Sequence, residues 1–416
     1  MRILYYCPFA QQNGYSRAAA DYLMALREYE LEKPGSVEFR IVPLFPYRSE
    51  NIEEGYEVLD EYVATDPVRE LGAMWPTHVI VHAMPGVAVR NYDQLRKQYP
   101  EAKLCCITTW ETSAMHLGMS QCLALYDRII VPSRHVAEVL ADKWITHVDV
   151  VEHCFDSDFW VPMLIEEPTP EYVFYTIGGD TQRKNLEGLL KAYLTAFTQH
   201  DPVVLRIHAG PDVLAKVNTI KERAGFHEAF PFPAVEITDG ERLDMDSLLE
   251  LHRAGDCFVS LSRGEGWGLG AFEAALVGND VIASKWGGPC HFLPELLPPL
   301  FPPYEENPGV GWVQGNLTPV FSAPEIVMRT IGIGNVTMPM SGLKCSLPEG
   351  TNALQCWFEP DLVDARGLMM ALLNARISNR DPHARYESAM KTHAIAEELF
   401  GYETIARKLI QSLEAA

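Results

Sequence analysis

The chain contains no Cys-x-x-Cys pair, no two histidines at zinc-ligand spacing and no apolar run long enough to span a bilayer. Its nine cysteines stand at 7, 105, 106, 122, 154, 257, 290, 345 and 356, several of them inside apolar runs such as Leu104-Cys105-Cys106-Ile107. They read as reduced, small apolar residues, and neither a metal nor another cofactor is expected. Met1-Arg2-Ile3-Leu4-Tyr5-Tyr6 turns polar by Gln11 and Gln12, too soon for a signal peptide, so a cytoplasmic protein is expected. Basic charge is also scarce. The 416 residues carry a net charge of −22, and residues 1–160 hold 14 lysines and arginines against 23 acidic residues. Surfaces that grip nucleic acid or anionic lipid present a basic face, so polyanions are poor partners here. A small anion needs only a few donors. Gly-x-Gly-x-x-Gly after the first apolar run is missing as well, which argues against a nicotinamide oxidoreductase.

Alternation is what the chain does contain. Short β-branched and aromatic runs at 3–7, 39–43, 78–82, 104–108, 128–131 and 148–151 are interleaved with amphipathic stretches at 17–27, 87–99 and 134–143. After the proline-bearing stretch 161–170 the order restarts, with runs at 172–177, 203–209, 256–261 and 280–284 and helical patterns at 186–197 and 248–254. Buried strands alternating with helices predict parallel sheets covered on both faces. The reading is α/β, with two doubly wound domains at 1–165 and 166–399. Residues 289–308 hold seven prolines, which excludes regular helix or a central strand there. The stretch 289–355 therefore reads as an ordered insertion in the second domain. Beyond it, 361–376 and 384–413 are helical by periodicity, and a terminal helix near 400–416 can pack back on the first domain.

The richest segment is Ser260-Leu-Ser-Arg-Gly-Glu265-Gly-Trp-Gly-Leu-Gly-Ala-Phe-Glu273-Ala-Ala-Leu-Val-Gly278. A strand runs into a glycine turn, and a helix starts near Leu269. Ligands of open α/β sheets lie at the carboxyl ends of strands. There Gly266, Trp267, Gly268, Leu269 and Gly270 would let the backbone approach a ligand and offer free N–H groups to a phosphate. Glu265 in the turn and Glu273 about one turn into the helix cannot meet the same ligand atom, and each suits the hydroxyls of a separate ring. The plain alternative is a tight strand–helix turn with solvated glutamates.

Glu265 and Glu273, separated by seven residues, resemble the two-glutamate signature of retaining glycosyltransferase family 4 (glycosyltransferase group 1), and Gly278-Asn-Asp-Val-Ile-Ala-Ser-Lys-Trp-Gly-Gly288 fits the same family. The resemblance implies the GT-B fold, two Rossmann-like domains facing a central cleft. It implies that Glu265 contacts the transferred sugar, Glu273 the nucleotide ribose and the helix start the diphosphate. It also implies that no metal is required. Tyr175-Thr-Ile-Gly-Gly-Asp-Thr-Gln-Arg-Lys184-Asn-Leu is similar to the family's glycine turn and diphosphate-binding lysine. Gly178 and Gly179 form the turn and Lys184 matches the lysine. Gly179 stands where the family has arginine, and Arg183 is the candidate to supply that charge. Cations there would stabilise the leaving diphosphate as its bond breaks.

The first domain is expected to hold the acceptor. Asn13-Gly14-Tyr15-Ser16 links the first strand to a helix, and the resemblance puts this turn by the donor phosphates and the acceptor. In Ile107-Thr-Thr-Trp110-Glu111, many relatives carry histidine where this chain has Glu111, which could orient an acceptor hydroxyl or steady positive charge, or else cap a helix. His82 ends the preceding strand, a place where a lone histidine is more often structural. Ser133 and His153 look like the family's interdomain segment, with capping and binding equally open. Donor and acceptor identity and oligomeric state are not readable. Two further readings stay open, a transferase acting on a hydroxylated nucleobase in DNA and a non-catalytic sugar-nucleotide-binding protein.

Overall fold

The computed structural model describes residues 1–11, 13–64, 75–143, 145–167, 169–178, 181–209, 213–223, 231–239, 243–299, 309–319, 355–378 and 381–416. They fall into two compact units. Met1–Phe159 and Ala396–Ala416 belong to one, and the second begins at Trp160 and ends at Ile395. The change-over thus precedes the expected 165, because Trp160 lays its ring against His252 (5.8 Å) and Arg253 donates to the Val161 carbonyl (3.0 Å).

The first unit is a parallel six-stranded sheet of β1 (Arg2–Cys7), β2 (Glu38–Pro43), β3 (His78–His82), β4 (Lys103–Ile107), β5 (Arg128–Val131) and β6 (Val148–Val150), in the order β2-β1-β3-β4-β5-β6. Its helices are α1 (Gly14–Glu32), α2 (Pro85–Gln98), α3 (Leu117–Leu123), α4 (Arg134–Ala141) and the C-terminal Tyr402–Glu414. The inner strands β1, β3, β4 and β5 are mostly buried apolar runs, as a sheet covered on both faces requires, while the edge strands β2 and β6 are more exposed. The side chain of Asn13 caps α1 by accepting from Ser16 N at 3.0 Å. Ala19, Ala25 and Leu26 of α1 and Ile405, Leu409 and Leu413 of the C-terminal helix are buried in one core with β1. The periodic stretch 384–413 is not one helix. It divides at Gly401, whose ψ of 160° is extended, and an added Cβ there would lie 2.5 Å from the Glu397 carbonyl.

The second unit repeats the plan with β7 (Tyr172–Ile177), β8 (Val203–Ala209), β9 (Ala234–Asp239), β10 (Cys257–Ser260), β11 (Asp280–Ser284) and β12 (Val310–Val313), in the order β12-β11-β10-β7-β8-β9. All pairings are parallel. Read from β7, this is the Rossmann strand order, with its switch point between β7 and β10. Its helices are α5 (Leu186–Ala196), α6 (Val213–Arg223), α7 (Met245–Arg253), α8 (Leu269–Leu276), α9 (Pro289–Leu296), α10 (Leu362–Ser378) and α11 (Pro382–Phe400), the last of which crosses into the other unit at Ala396. A short antiparallel pair joins β13 (Gly315–Pro319) to β14 (Cys356–Pro360).

Two sequence expectations need correction in this unit. The proline-rich stretch opens with a helix, α9, and β12 then joins the sheet, so alternation continues into 289–313. Pro289 stands in the first turn, where its missing N–H has no helical partner to lose. Pro294 lies inside the helix, and burial of Phe292, Leu293 and Leu296 offsets its intrinsic penalty. The strand β9 and the β13–β14 pair, which no periodicity announced, complete the architecture. Most of the remainder of 289–355 lies outside the described residues.

Candidate functional site

The second unit has a pocket at the carboxyl ends of β7 and β10, the switch point of its sheet. Ile177 and Gly178 at the end of β7 meet Phe258 to Leu261 of β10 there, and Gly268, Gly270 and Ala271 at the start of α8 close it. Lys184 and Glu265 line it as well. Glycine is needed at two of these positions. Gly268, the N-cap of α8, has φ +103°, and an added Cβ at Gly270 would lie 2.8 Å from the Phe258 ring.

Charge is concentrated on Glu265. Lys184 Nζ donates to Glu265 Oε1 at 2.6 Å, and Arg183 Nη1 lies 3.0 Å from Oε2 while donating to the Gly264 carbonyl at 2.7 Å. Burial by itself would raise this carboxyl, but the Arg183 and Lys184 cations pull it down to about 2. Glu265 is therefore ionised throughout the neutral range and cannot serve as a proton donor. Arg183 and Lys184 thus share one carboxylate. Gly179 lies outside the described residues.

Arg263, which the sequence analysis passed over, ties three segments together. Its backbone N–H donates to the Arg183 carbonyl (2.7 Å), its guanidinium donates to the Gln182 carbonyl, and it forms a two-pronged pair with Glu359 of β14 at 2.6 and 2.8 Å. An arginine between a serine and a glycine carries no motif signal, and β14 is about a hundred residues distant, so only the fold discloses this brace. The turn at Gly287-Gly288 is a second brace. Gly288 N donates to the Glu265 carbonyl at 2.7 Å, and an added Cβ on Gly288 would lie 2.4 Å from Gly266 O and Trp267 Cα. The Glu265 loop thus rests directly on a glycine backbone.

Two expected donor residues, Trp267 and Glu273, are buried. Trp267 is 3% exposed and packs on Phe292 (4.5 Å) and Phe272 (5.3 Å), so its indole is a core element that anchors the turn. Gly266 is buried beside it. Leu269 opens α8 as expected. Glu273 is 4% exposed, does not line the pocket and has Oε2 3.2 Å from His252 Nε2.

In the first unit Gly14 opens α1 and is exposed. Tyr15 is half-buried, and burial followed by the nearby Glu111 carboxylate raises its phenol. Ser16 is buried, with its hydroxyl accepting from Gln11 N at 3.2 Å. His82 is a core imidazole. It shares a 2.9 Å hydrogen bond with Tyr5, lies edge-on to Tyr15 and Tyr22, and is lowered to about 3 by burial and then by His153. Trp110 spends its N–H inside the unit, on Thr112 Oγ1 (2.8 Å) and the Ala114 carbonyl (2.9 Å). Glu111, half-buried, and Tyr15 thus remain the polar pair near the end of β4, while His82 and Trp110 build the wall behind them. Among the described residues no group of histidine, cysteine, aspartate or glutamate side chains is arranged to hold a metal ion, and no helix is long and apolar enough to cross a membrane.

No family model and no curated protein matches the chain. Solved structures do. Anabaena HepE, crystallised with UDP and glucose, is 13% identical with a TM-score of 0.61, and the likeness covers 100% of both chains. The lipopolysaccharide outer core galactosyltransferase WaaB is 12% identical at a TM-score of 0.61, covering 100% of this chain and 99% of that one. Sucrose-phosphate synthase from Thermosynechococcus elongatus is 14% identical at 0.61, covering 99% and 98%. The fold is GT-B. Identities this low establish the architecture alone. The GT-B likeness runs the length of the chain, so the stretch 289–355 does not remove the second unit from it.

Proposed function

We propose that this GT-B protein is a metal-independent retaining glycosyltransferase of the family 4 kind. It would move a hexose-type sugar from a UDP- or GDP-sugar to a hydroxyl of a glycan, glycolipid or small molecule. The observation that carries this reading is the joining of Lys184, Arg183 and Glu265 at a pocket on the switch point of a Rossmann sheet, beside the glycine-opened start of α8. Two cations and a helix N-terminus suit a diphosphate whose negative charge grows as the sugar leaves. Glu265, held as a carboxylate, suits a sugar hydroxyl or the positive charge that develops on the ring, and its low pKa leaves it no role as an acid.

In this mechanism the acceptor hydroxyl attacks on the face from which the diphosphate departs, and a departing phosphate oxygen takes its proton. No protein base is then needed. His82, buried and lowered to about 3, is a neutral imidazole bonded to Tyr5 and does not compete for that task. Glu111 and Tyr15 are the first-unit groups assigned to the acceptor, and Gly14 N–H to the donor phosphates. HepE, which binds UDP and glucose, makes UDP-glucose the first donor to test.

The test is a titration with UDP-, GDP- and ADP-sugars followed by melting temperature, because a ligand of the folded state raises it by mass action. The donor that binds is then incubated with hydroxyl acceptors, and the anomer of the product is read by NMR. Retention at the anomeric carbon is expected, with the rate unchanged by EDTA. An inverted product, or a rate lost to EDTA, would overturn the assignment.

A further inference from the structure

The pocket does not account for Glu273. Its Oε2 joins a buried polar chain that runs through His252, Tyr175 and Asn279 to Arg385 on α11. The donors in this chain leave one arrangement of protons. Arg385 can only donate, and its Nη2 lies 3.2 Å from Asn279 Oδ1, so that oxygen accepts. Asn279 Nδ2 then faces the His252 carbonyl at 2.6 Å and Tyr175 Oη at 2.8 Å. The carbonyl can only accept, and the phenol oxygen takes the second amide proton. The phenol's own proton goes to its other partner, His252 Nδ1, at 2.7 Å. Burial raises the Tyr175 phenol well above its ordinary value, so it keeps a proton to give. Nδ1 is an acceptor, and the imidazole proton therefore sits on Nε2, 3.2 Å from Glu273 Oε2.

The surroundings hold this arrangement in place. His252 is fully buried, and Tyr175, Asn279 and Glu273 are each no more than 4% exposed. Trp160 and Tyr175 meet the imidazole edge-on at 5.8 and 5.5 Å. Phe258 packs on both His252 and Tyr175 and also lines the pocket. Arg385 is itself anchored by Asp256 Oδ1 at 2.7 Å. A buried carboxylate needs donors. A neutral N–H supplies one without cancelling the negative charge, which leaves Glu273 a strong acceptor for vicinal hydroxyls.

We propose that His252 is a positioning residue for donor binding, and that it orients Glu273 as the acceptor of the nucleotide's ribose hydroxyls. Arg385, through Asn279 and Tyr175, sets the histidine tautomer. The proposal rests on the donor reading above, in which Glu273 meets the ribose one turn into α8.

Two measurements decide it. Long-range 15N–1H correlation of the imidazoles in the intact protein should find His252 neutral with its proton on Nε2; a proton on Nδ1, or on both nitrogens, overturns the chain. UDP, GDP and ADP are each titrated calorimetrically, and the tightest is carried through a double-mutant cycle. His252→Ala should weaken it about 10- to 100-fold, the range for losing a hydrogen bond to a charged group. His252→Gln, which restores an N–H near the Nε2 position, should recover most of the loss. In a Glu273→Ala background His252→Ala should add nothing. Tyr175→Phe preserves the packing and should weaken binding less than His252→Ala, with the Nε2 proton no longer the single form. Additive losses in the cycle, with tight binding by the unmodified protein, would sink this inference alone. Failure of all three nucleotides to bind the unmodified protein would take the donor reading down with it.

Discussion

The two units share a parallel six-stranded sheet, yet they treat their polar residues at the strand ends in opposite ways. In the second unit Lys184, Arg183 and Glu265 form charged pairs at 2.6 and 3.0 Å beside a pocket, braced by Arg263 and by the Gly288 backbone. In the first unit His82, His153 and Trp110 are folded inward, and burial keeps both histidines neutral. A charged group held at low exposure by partners on separate loops stores electrostatic work that a ligand can use. His82, bonded to Tyr5, and Trp110, bonded to Thr112 and Ala114, are satisfied within their own unit and contribute packing instead. The difference separates the charged groups to which we assign chemistry from those that pack.

The comparison breaks most decisively at Lys184. Lys184→Ala should lower the transfer rate by about 10²- to 10³-fold or more, the scale for removing one stabiliser of transition-state charge, while the melting temperature changes little. A near-normal rate would remove the pair from the mechanism. A second break is the glycine contrast within the second unit. Gly288→Ala, whose Cβ would lie 2.4 Å from the Gly266–Trp267 backbone, should destabilise by about 1–3 kcal/mol and weaken nucleotide binding. Gly367→Ala, in α10 with nothing within 4 Å, should stabilise by about 0.5–1 kcal/mol. Urea titration of both variants checks the sign.

Acid should tell the units apart as well. His82 and His153 are each lowered from 6.5 to about 3, by burial first. The unfolded chain therefore binds their protons first, and their contribution is intact above pH 6.5 and lost as pH falls toward 3. The loss is on the order of 3–5 kcal/mol per histidine. Glu265, lowered from 4.5 to about 2, contributes stability above pH 4.5 that is lost as pH falls toward 2. Amide exchange followed against pH should show the first unit weakening first. His82→Gln should flatten the upper part of that response, and Glu265→Gln only the part below 4.5. The smallest effect on the rate is expected of Trp110→Phe, which loses two internal hydrogen bonds and should leave the transfer rate within about threefold while lowering stability by about 1–2 kcal/mol.

Much of the fold was legible because its strands are buried on both faces and so are written as continuous apolar runs. The start of α8 at Leu269 followed from its glycine turn. What was missed has a common cause. The helix α9 carries Pro294 in its interior, a penalty that burial offsets, and β9 and the β13–β14 pair draw their hydrogen bonds from distant partners. The division at Gly401 was hidden because apolar periodicity continues through it.

At the candidate site, the sequence alone supplied the residue types that the proposed diphosphate and sugar contacts call for. Glycines at a strand end, a lysine, and two glutamates separated by seven residues are local facts that need no third dimension. Only the tertiary structure decided that Lys184 and Arg183 share Glu265, and that Arg263 and Gly288 hold its loop. It also turned Glu273 toward His252 and drew His82 and Trp110 into the first unit's interior. The physical reason is that charge state and exposure depend on neighbours in space, which stand 81 residues apart for Lys184 and Glu265 and 21 apart for His252 and Glu273. Desolvation and Coulomb interaction act through space, and the sequence orders residues only along the backbone.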